Sequence, residues 1–180
     1  MNVLTDVEAR DFVTSNAWAS GLHLDEHGNL SYDDRDASSI RLRYPETPLR
    51  VTYAARLLSL VGASGDECGF NGALLWLRLW GIGSPQIEMS GWRMLERMRM
   101  RYGELRSLGD ANAHWFRSDE VAELAAFIVP CFVYGWDAYV LPSGGDCFGF
   151  ISHDEFWSVS ARNQEASGRL SMDFAEFQSK

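Results

Sequence analysis

Apolar positions in this chain follow two periods, and the change from one to the other separates strands from helices. Ile40-Arg41-Leu42-Arg43-Tyr44 alternates cleanly, which predicts a half-buried strand with Arg41 and Arg43 on the wet face. Leu22-His23-Leu24 and Leu30-Ser31-Tyr32 alternate on either side of a turn containing Gly28 and Asn29, residues that accept the positive φ of a tight hairpin. The densest pattern runs from Cys131 to Trp157, where eight of the 23 aromatic residues fall: Phe132, Tyr134, Trp136, Tyr139, Phe148, Phe150, Phe156 and Trp157. A Pro-Ser-Gly-Gly break divides that run, which predicts an aromatic β-hairpin as the spine of the fold. Ser152-His153-Asp154-Glu155 reads as a turn before a further strand over Phe156–Ser160.

The period of 3.6 takes over elsewhere. Thr5-Asp6-Val7-Glu8 is a capping box and opens a helix over 6–14. Thr47-Pro48 precedes Val51, Ala54, Ala55, Leu58 and Val61, a stripe that predicts an amphipathic helix over 48–61. Ser64-Gly65-Asp66-Glu67 is a second capping box. The following Phe70–Trp80 is apolar nearly all round, which predicts a buried central helix carrying Trp76 and Trp80. A helix over 86–102 sets Ile87, Met94, Leu95, Met98 and Tyr102 against Arg93, Arg97, Arg99 and Arg101. Residues 107–116 read as loop, Ser118 opens a fourth helix that Pro130 stops, and 163–178 is a weak helix with Leu170, Phe174 and Phe177 on one face. The expectation is a single α+β domain over 1–180. Its mostly antiparallel sheet, from 22–44 and 131–160, packs against the helices of 48–129.

Composition narrows the class of partner. The net charge is −9, distributed as −6 over residues 1–36, +4 over 37–117 and −7 over 118–180. Acidic flanks disfavour nucleic acid as the main partner, because neutralising phosphates needs a net basic face, and they suit a basic protein. Three cysteines, Cys68, Cys131 and Cys147, stand in no paired spacing, and the first residues carry acid with no apolar leader core. Both features point to reduced thiols in a cytoplasmic chain. No apolar stretch reaches the roughly 18 residues of a membrane span; Arg78 interrupts the longest.

Candidate chemistry is sparse. His23 and His27 have the i, i+4 spacing of two helical metal ligands, but the hairpin pattern places them on a turn, so no metal is expected. No dinucleotide, phosphate-loop, nucleophile-elbow or zinc-protease motif occurs, and no cofactor is expected. Asp66 to Gly72 has the acids and glycines of a cation loop without its alternating ligands and closing glutamate. Cys147 with His153 and Asp154 supplies the residue types of a nucleophile, a base and an orienting acid. That combination is the basis for an enzymatic alternative, a small hydrolase using Cys147 or a His/Asp pair. Asp137, inside an aromatic strand, needs water or a donor, and an arginine of the 86–102 helix is one candidate. The arginine row itself reads as a solvated helix face.

The stretches GALLWLRLWGIGSPQIEMSGWRMLERMR and VYGWDAYVLPSGGDCFGFISHDEFWSV resemble a set of small bacterial proteins of unassigned function, over about 40–160, with GWDAY and SHDEF carrying most of the resemblance. That resemblance implies no catalytic residue. In its general character (small, acidic, rich in aromatics, free of catalytic motifs) the chain is also similar to immunity and antitoxin proteins. The expectation is therefore a protein-binding module, an immunity-type inhibitor that occludes a basic toxin or effector, as monomer or homodimer. Its contact face would use Trp136, Asp137, Tyr139, Asp154, Glu155 and Trp157, the acids steering and the rings anchoring.

Overall fold

The computed structural model describes residues 1–15, 21–25, 29–32, 37–44, 46, 49–61, 71–78, 89–144 and 146–178. Within them the chain runs β1 (Asn2–Leu4), α1 (Asp6–Ser15), β2 (Leu22–Leu24), β3 (Leu30–Tyr32), β4 (Ser38–Arg43), α2 (Arg50–Leu60), β5 (Gly72–Leu77), α3 (Met89–Met100), β6 (Ala113–Arg117), a 3-10 turn (Ser118–Glu120), α4 (Val121–Tyr134), β7 (Ala138–Pro142), β8 (Cys147–Ser152), β9 (Phe156–Ala161) and α5 (Gln164–Gln178). Seven strands form one antiparallel sheet in the order β1-β6-β5-β7-β8-β9-β4, and β2-β3 is a separate hairpin. This is a single α+β domain.

Period-two alternation sorts the side chains of the sheet into two cores. Ala73, Leu75, Leu77, Ala138, Val140, Ile151, Trp157 and Val159 face the helices α2 to α5. Leu74, Trp76, Tyr139, Leu141 and Phe148 face α1 and the β2-β3 hairpin on the other side. The sheet is the middle of three layers. Each fully buried aliphatic or aromatic side chain there contributes roughly 1.5–3 kcal/mol of transfer free energy.

The double cover explains the main departure from the sequence-based expectation. The described part of Phe70–Trp80 is not a helix: it is β5, an interior strand, with every residue from Gly72 to Leu77 buried. A strand covered on both faces loses its polar alternation and becomes a continuous apolar run, which periodicity cannot tell from a buried helix. Trp76 is core as expected, with no exposed surface, but it is core in a strand. Residues 107–116 are likewise not all loop. Ala113–Arg117 is β6, paired on both sides, and its Ala-His-Trp-Phe start shows no polar alternation for the same reason.

Pro130 does not stop α4, which continues to Tyr134. A proline inside a helix costs about 3 kcal/mol. The turns on either side of it place Phe127, Ile128, Cys131 and Phe132 on the sheet with no exposure, and that packing outweighs the cost. Gly135, at φ 64° and ψ 49°, ends the helix in the left-handed conformation that glycine adopts without strain. The aromatic hairpin therefore begins at Ala138, and Phe132 and Tyr134 belong to the helix.

The arginine row of α3 is solvated at Arg93, Arg97 and Arg101, but Arg99 is buried and its Nη2 donates to the Ala111 carbonyl at 2.8 Å. Several other expectations hold in the described residues. Thr5 Oγ1 accepts from the Glu8 amide at 3.2 Å and Glu8 Oε2 from the Thr5 amide at 2.7 Å, the reciprocal capping box. Leu22–Leu24 pairs with Leu30–Tyr32. The buried stripe of α2 is Ala54, Leu57 and Leu58, with Val61 just after it; Val51 is exposed, so the inward face is rotated from the expected one. Gly149 lets α2 settle onto β8, since a Cβ there would stand 2.7 Å from Leu57 Cδ1. Pro45, Thr47, Pro48, the second capping box, Cys68, Trp80 and His27 lie outside the described residues. No helix among the described residues is long and apolar enough to cross a membrane.

Candidate functional site

The strand registers bring most of the chain's distinctive polar groups to one end of the sheet. There β1, β5, β8 and β4 finish and β6, β7 and β9 begin. Asp6, Arg78, Asn112, Asp137, His153, Asp154, Glu155 and Arg43 each lie at or just beyond a strand end on that rim.

On one side of the rim Asp6 gathers donors. Its Oδ1 accepts from Trp76 Nε1 at 3.0 Å and Asn112 Nδ2 at 3.4 Å, and its Oδ2 from Arg10 Nε at 2.8 Å. Arg78, 6 % exposed, stands 3.6 Å from Asp6 and stacks over the Trp76 ring. Burial pushes the Asp6 carboxyl up, but the Arg10, Asn112 and Trp76 hydrogen bonds together outweigh it and hold the group below its ordinary 3.8. These partners hold α1 against the ends of β5 and β6, and this reads as a structural knot.

In the middle of the rim Asp137 meets His153 rather than an arginine. The His153 amide donates to Asp137 Oδ1 at 2.6 Å, and ring Nδ1 lies 3.0 and 2.9 Å from the two carboxylate oxygens. The carboxylate therefore fixes the imidazole, with Nδ1–H as donor and Nε2 turned outward, 3.4 Å from Asp154 Oδ1. The Asp137 hydrogen bond raises the His153 pKa above 6.5, and partial burial opposes it only in part. Because the folded value is the higher one, this contribution to stability is complete below pH 6.5. It fades as pH rises through the folded pKa. The ring is half exposed, so the effect stays below about 1 kcal/mol. The expected NMR result is a His153 titration midpoint above 6.5 that Asp137→Asn returns toward the ordinary value; an unchanged midpoint would break the assignment of the pair.

A His held by an Asp is the arrangement a general base needs, and what stands near it limits its use. Cys147 lies at the opposite end of β8 from His153, about 20 Å along a six-residue strand step. The two are not a dyad. Ser152 is buried, and its hydroxyl accepts from the Asp154 amide. Among the described residues no group of three or more His, Cys, Asp or Glu side chains is placed to hold a metal ion.

The six residues expected to form a contact face do not share one. Trp157 has no exposed surface, Trp136 has 3 % and Tyr139 has 4 %. Trp157 packs edge-on against Phe132 and Tyr53; Trp136 stacks on Tyr134; the Tyr139 hydroxyl accepts from the Leu30 amide. Asp137 is nearly buried under His153. Asp154 and Glu155 alone are openly displayed, in the three-residue turn between β8 and β9.

That turn closes one end of a groove of about 550 Å³ lined by Arg41, Leu42, Arg43, Asp154, Glu155 and Phe156. Glu155 sits at φ 60°, the left-handed position of a three-residue hairpin loop where glycine or asparagine is usual. Its carbonyl accepts from the Tyr44 amide at 2.9 Å, which fixes the turn against the end of β4. The Arg41 guanidinium lies over the Phe156 ring at 3.4 Å. Phe156 continues a row of rings across neighbouring strands: Trp76 to Tyr139 at 6.4 Å, Tyr139 to Phe150 at 4.7 Å and Phe150 to Phe156 at 6.1 Å. Arg41 and Arg43 were readable in the sequence only as the wet face of a strand. Nothing there revealed that this strand is the outermost one.

The fold and the groove define a three-layer α+β domain with an ionic cleft at one sheet margin. No protein-family model, no curated protein and no solved structure matches the chain.

Proposed function

We propose that the chain is a protein-binding module, an immunity-type inhibitor that works in the cytoplasm by covering a basic toxin or effector. The observation that carries this reading is the Asp154–Glu155 turn beside the groove. Two exposed carboxylates are presented on a short, hydrogen-bonded loop, one of them at a backbone position that costs a non-glycine residue about 1 kcal/mol. Keeping a charged side chain where glycine would relieve strain suits a contact role. The net charge of −9 would steer a basic partner toward it. The groove supplies the contact area that the buried tryptophans do not.

The test starts from the native cell, by identifying the protein that co-purifies and reconstituting the pair from pure components. Reversing both charges with Asp154→Lys and Glu155→Lys is expected to weaken binding at least tenfold at low salt and to flatten its salt dependence. Unchanged affinity in the double variant would remove this turn from the contact face. The hydrolase alternative draws on the His153–Asp137 pair. It lacks a hydroxyl or thiol facing Nε2 among the described residues, so it is the weaker reading.

A further inference from the structure

The sheet has two edges, and they end differently. On one side β1 is three residues long, and Arg106 Nη2 donates to the Val3 carbonyl at 2.9 Å, so a side chain already occupies its backbone. On the other side β4 is six residues long and, among the described residues, pairs only with β9. The Tyr44 amide bonds to the Glu155 carbonyl, which sets the alternation: Ser38, Ile40, Leu42 and Tyr44 turn their backbone groups toward β9. Ser39, Arg41 and Arg43 therefore turn N–H and C=O outward. The same three residues carry the exposed side chains of the strand. Neither Arg41 nor Arg43 has a carboxylate within ion-pair distance among the described residues.

We infer that β4 is a docking edge that takes an extended segment of a partner as an eighth strand, with carboxylates at alternate positions facing Arg41 and Arg43. This rests on the protein-binding reading above and specifies its chemistry. An edge strand supplies main-chain bonds without regard to sequence, and selectivity comes from the side chains at every second position. Here those positions are two guanidiniums, one of them held flat by the Phe156 ring. Beyond Arg43 the groove ends at Asp154 and Glu155, which favour a cation on the incoming strand N-terminal to its two acids. A second copy of this chain is the wrong occupant. Two β4 strands paired about a twofold axis would set arginine against arginine, and like charges across a strand pair are destabilising. The competing account is that the arginines only guard the edge against unwanted pairing.

The probe is an end-blocked peptide Lys-Val-Glu-Val-Glu-Val-Thr, which in antiparallel register sets its glutamates opposite Arg43 and Arg41. In the free protein the amides of Ser39, Arg41 and Arg43 should exchange hydrogen faster than those of Ile40 and Leu42. The peptide should bind and slow exchange at those three amides at least tenfold. Replacing its glutamates by lysine, or methylating their backbone nitrogens, should each weaken binding at least tenfold, as should Arg41→Glu with Arg43→Glu in the protein. Arg93→Glu with Arg97→Glu, on the exposed side of α3, should leave binding unchanged. Absence of binding at millimolar peptide would leave the edge merely guarded and overturn the inference. Binding without protection of the three outward amides, or insensitive to N-methylation, would reduce it to ion pairing and overturn it equally. A native partner that still binds the Arg41/Arg43 variant but not the Asp154/Glu155 variant would sink this inference and leave the proposed function standing.

Discussion

Trp157→Ala is expected to destabilise the domain by about 4 kcal/mol, the range for emptying a large aromatic site in a packed core. The ring has no solvent exposure. It stands edge-on to Phe132 of α4 at 6.2 Å and to Tyr53 of α2 at 5.9 Å, so it joins two helices to β9. Its register neighbours are Ile151 and Leu42, which places the cavity across three strands. Small domains hold only about 5–15 kcal/mol in total, so the variant should show a much lower urea midpoint or fail to fold at 37 °C. Trp157→Phe keeps most of the volume and should lose markedly less. A residue whose role is to grip a partner gives the opposite signature, weaker binding with an almost unchanged midpoint. A Trp157→Ala midpoint within about 1 kcal/mol of the wild type would overturn the core assignment.

Acid should weaken the fold well before its carboxylates titrate, and His114 is the reason. The imidazole lies in β6 with no exposed surface, 5.3 Å from the Phe127 ring. Burial, with the Arg99 guanidinium adding to it, drives its pKa down to about 3. The unfolded chain takes up that proton near pH 6.5, whereas the folded chain refuses it until about pH 3. Stability from this group is therefore complete above pH 6.5 and declines as pH falls, by roughly 3 kcal/mol at pH 4.5. Asp6, Glu8, Glu104 and Glu120 have carboxyls held below their ordinary values, so their loss comes at lower pH, below their unfolded values of 3.8 to 4.5. His153 acts with the opposite sign and smaller size. Urea midpoints of wild type and His114→Leu between pH 7.5 and 4.5 separate these groups. The variant should lose the slope whatever its absolute stability, and a wild-type curve flat over that window would refute the assignment.

Sequence reasoning succeeded where an element has one wet face. Arg41 and Arg43 alternate with Ile40 and Leu42, which makes β4 legible; Thr5 and Glu8 announce α1; the pairing of β2 with β3 follows from their alternation. It failed at Leu74-Leu75-Trp76-Leu77 and at Ala113-His114, where both faces are covered and no polar residue marks the period. It also failed at Pro130, where the local penalty is real and long-range packing of Phe127 and Phe132 overrides it. Trp136, Tyr139 and Trp157 are buried, and the sequence does not tell this in advance, because an aromatic ring suits a partner's surface and this chain's own core equally well.

The sequence by itself determined the acidic balance, the α+β class, most helix starts and the turn that displays Asp154 and Glu155, because each depends on neighbours a few positions away. The tertiary structure alone decided that β5 lies inside the sheet between β6 and β7, that Asp137 holds His153 and that Cys147 stands far from both. It also decided that β4 is the last strand of the sheet among the described residues. Those facts follow from strand order, which is fixed by pairing between segments as distant as β4 and β9 or β1 and β6. No local period encodes that order, since it is selected by which apolar faces bury one another most completely once the whole chain has collapsed.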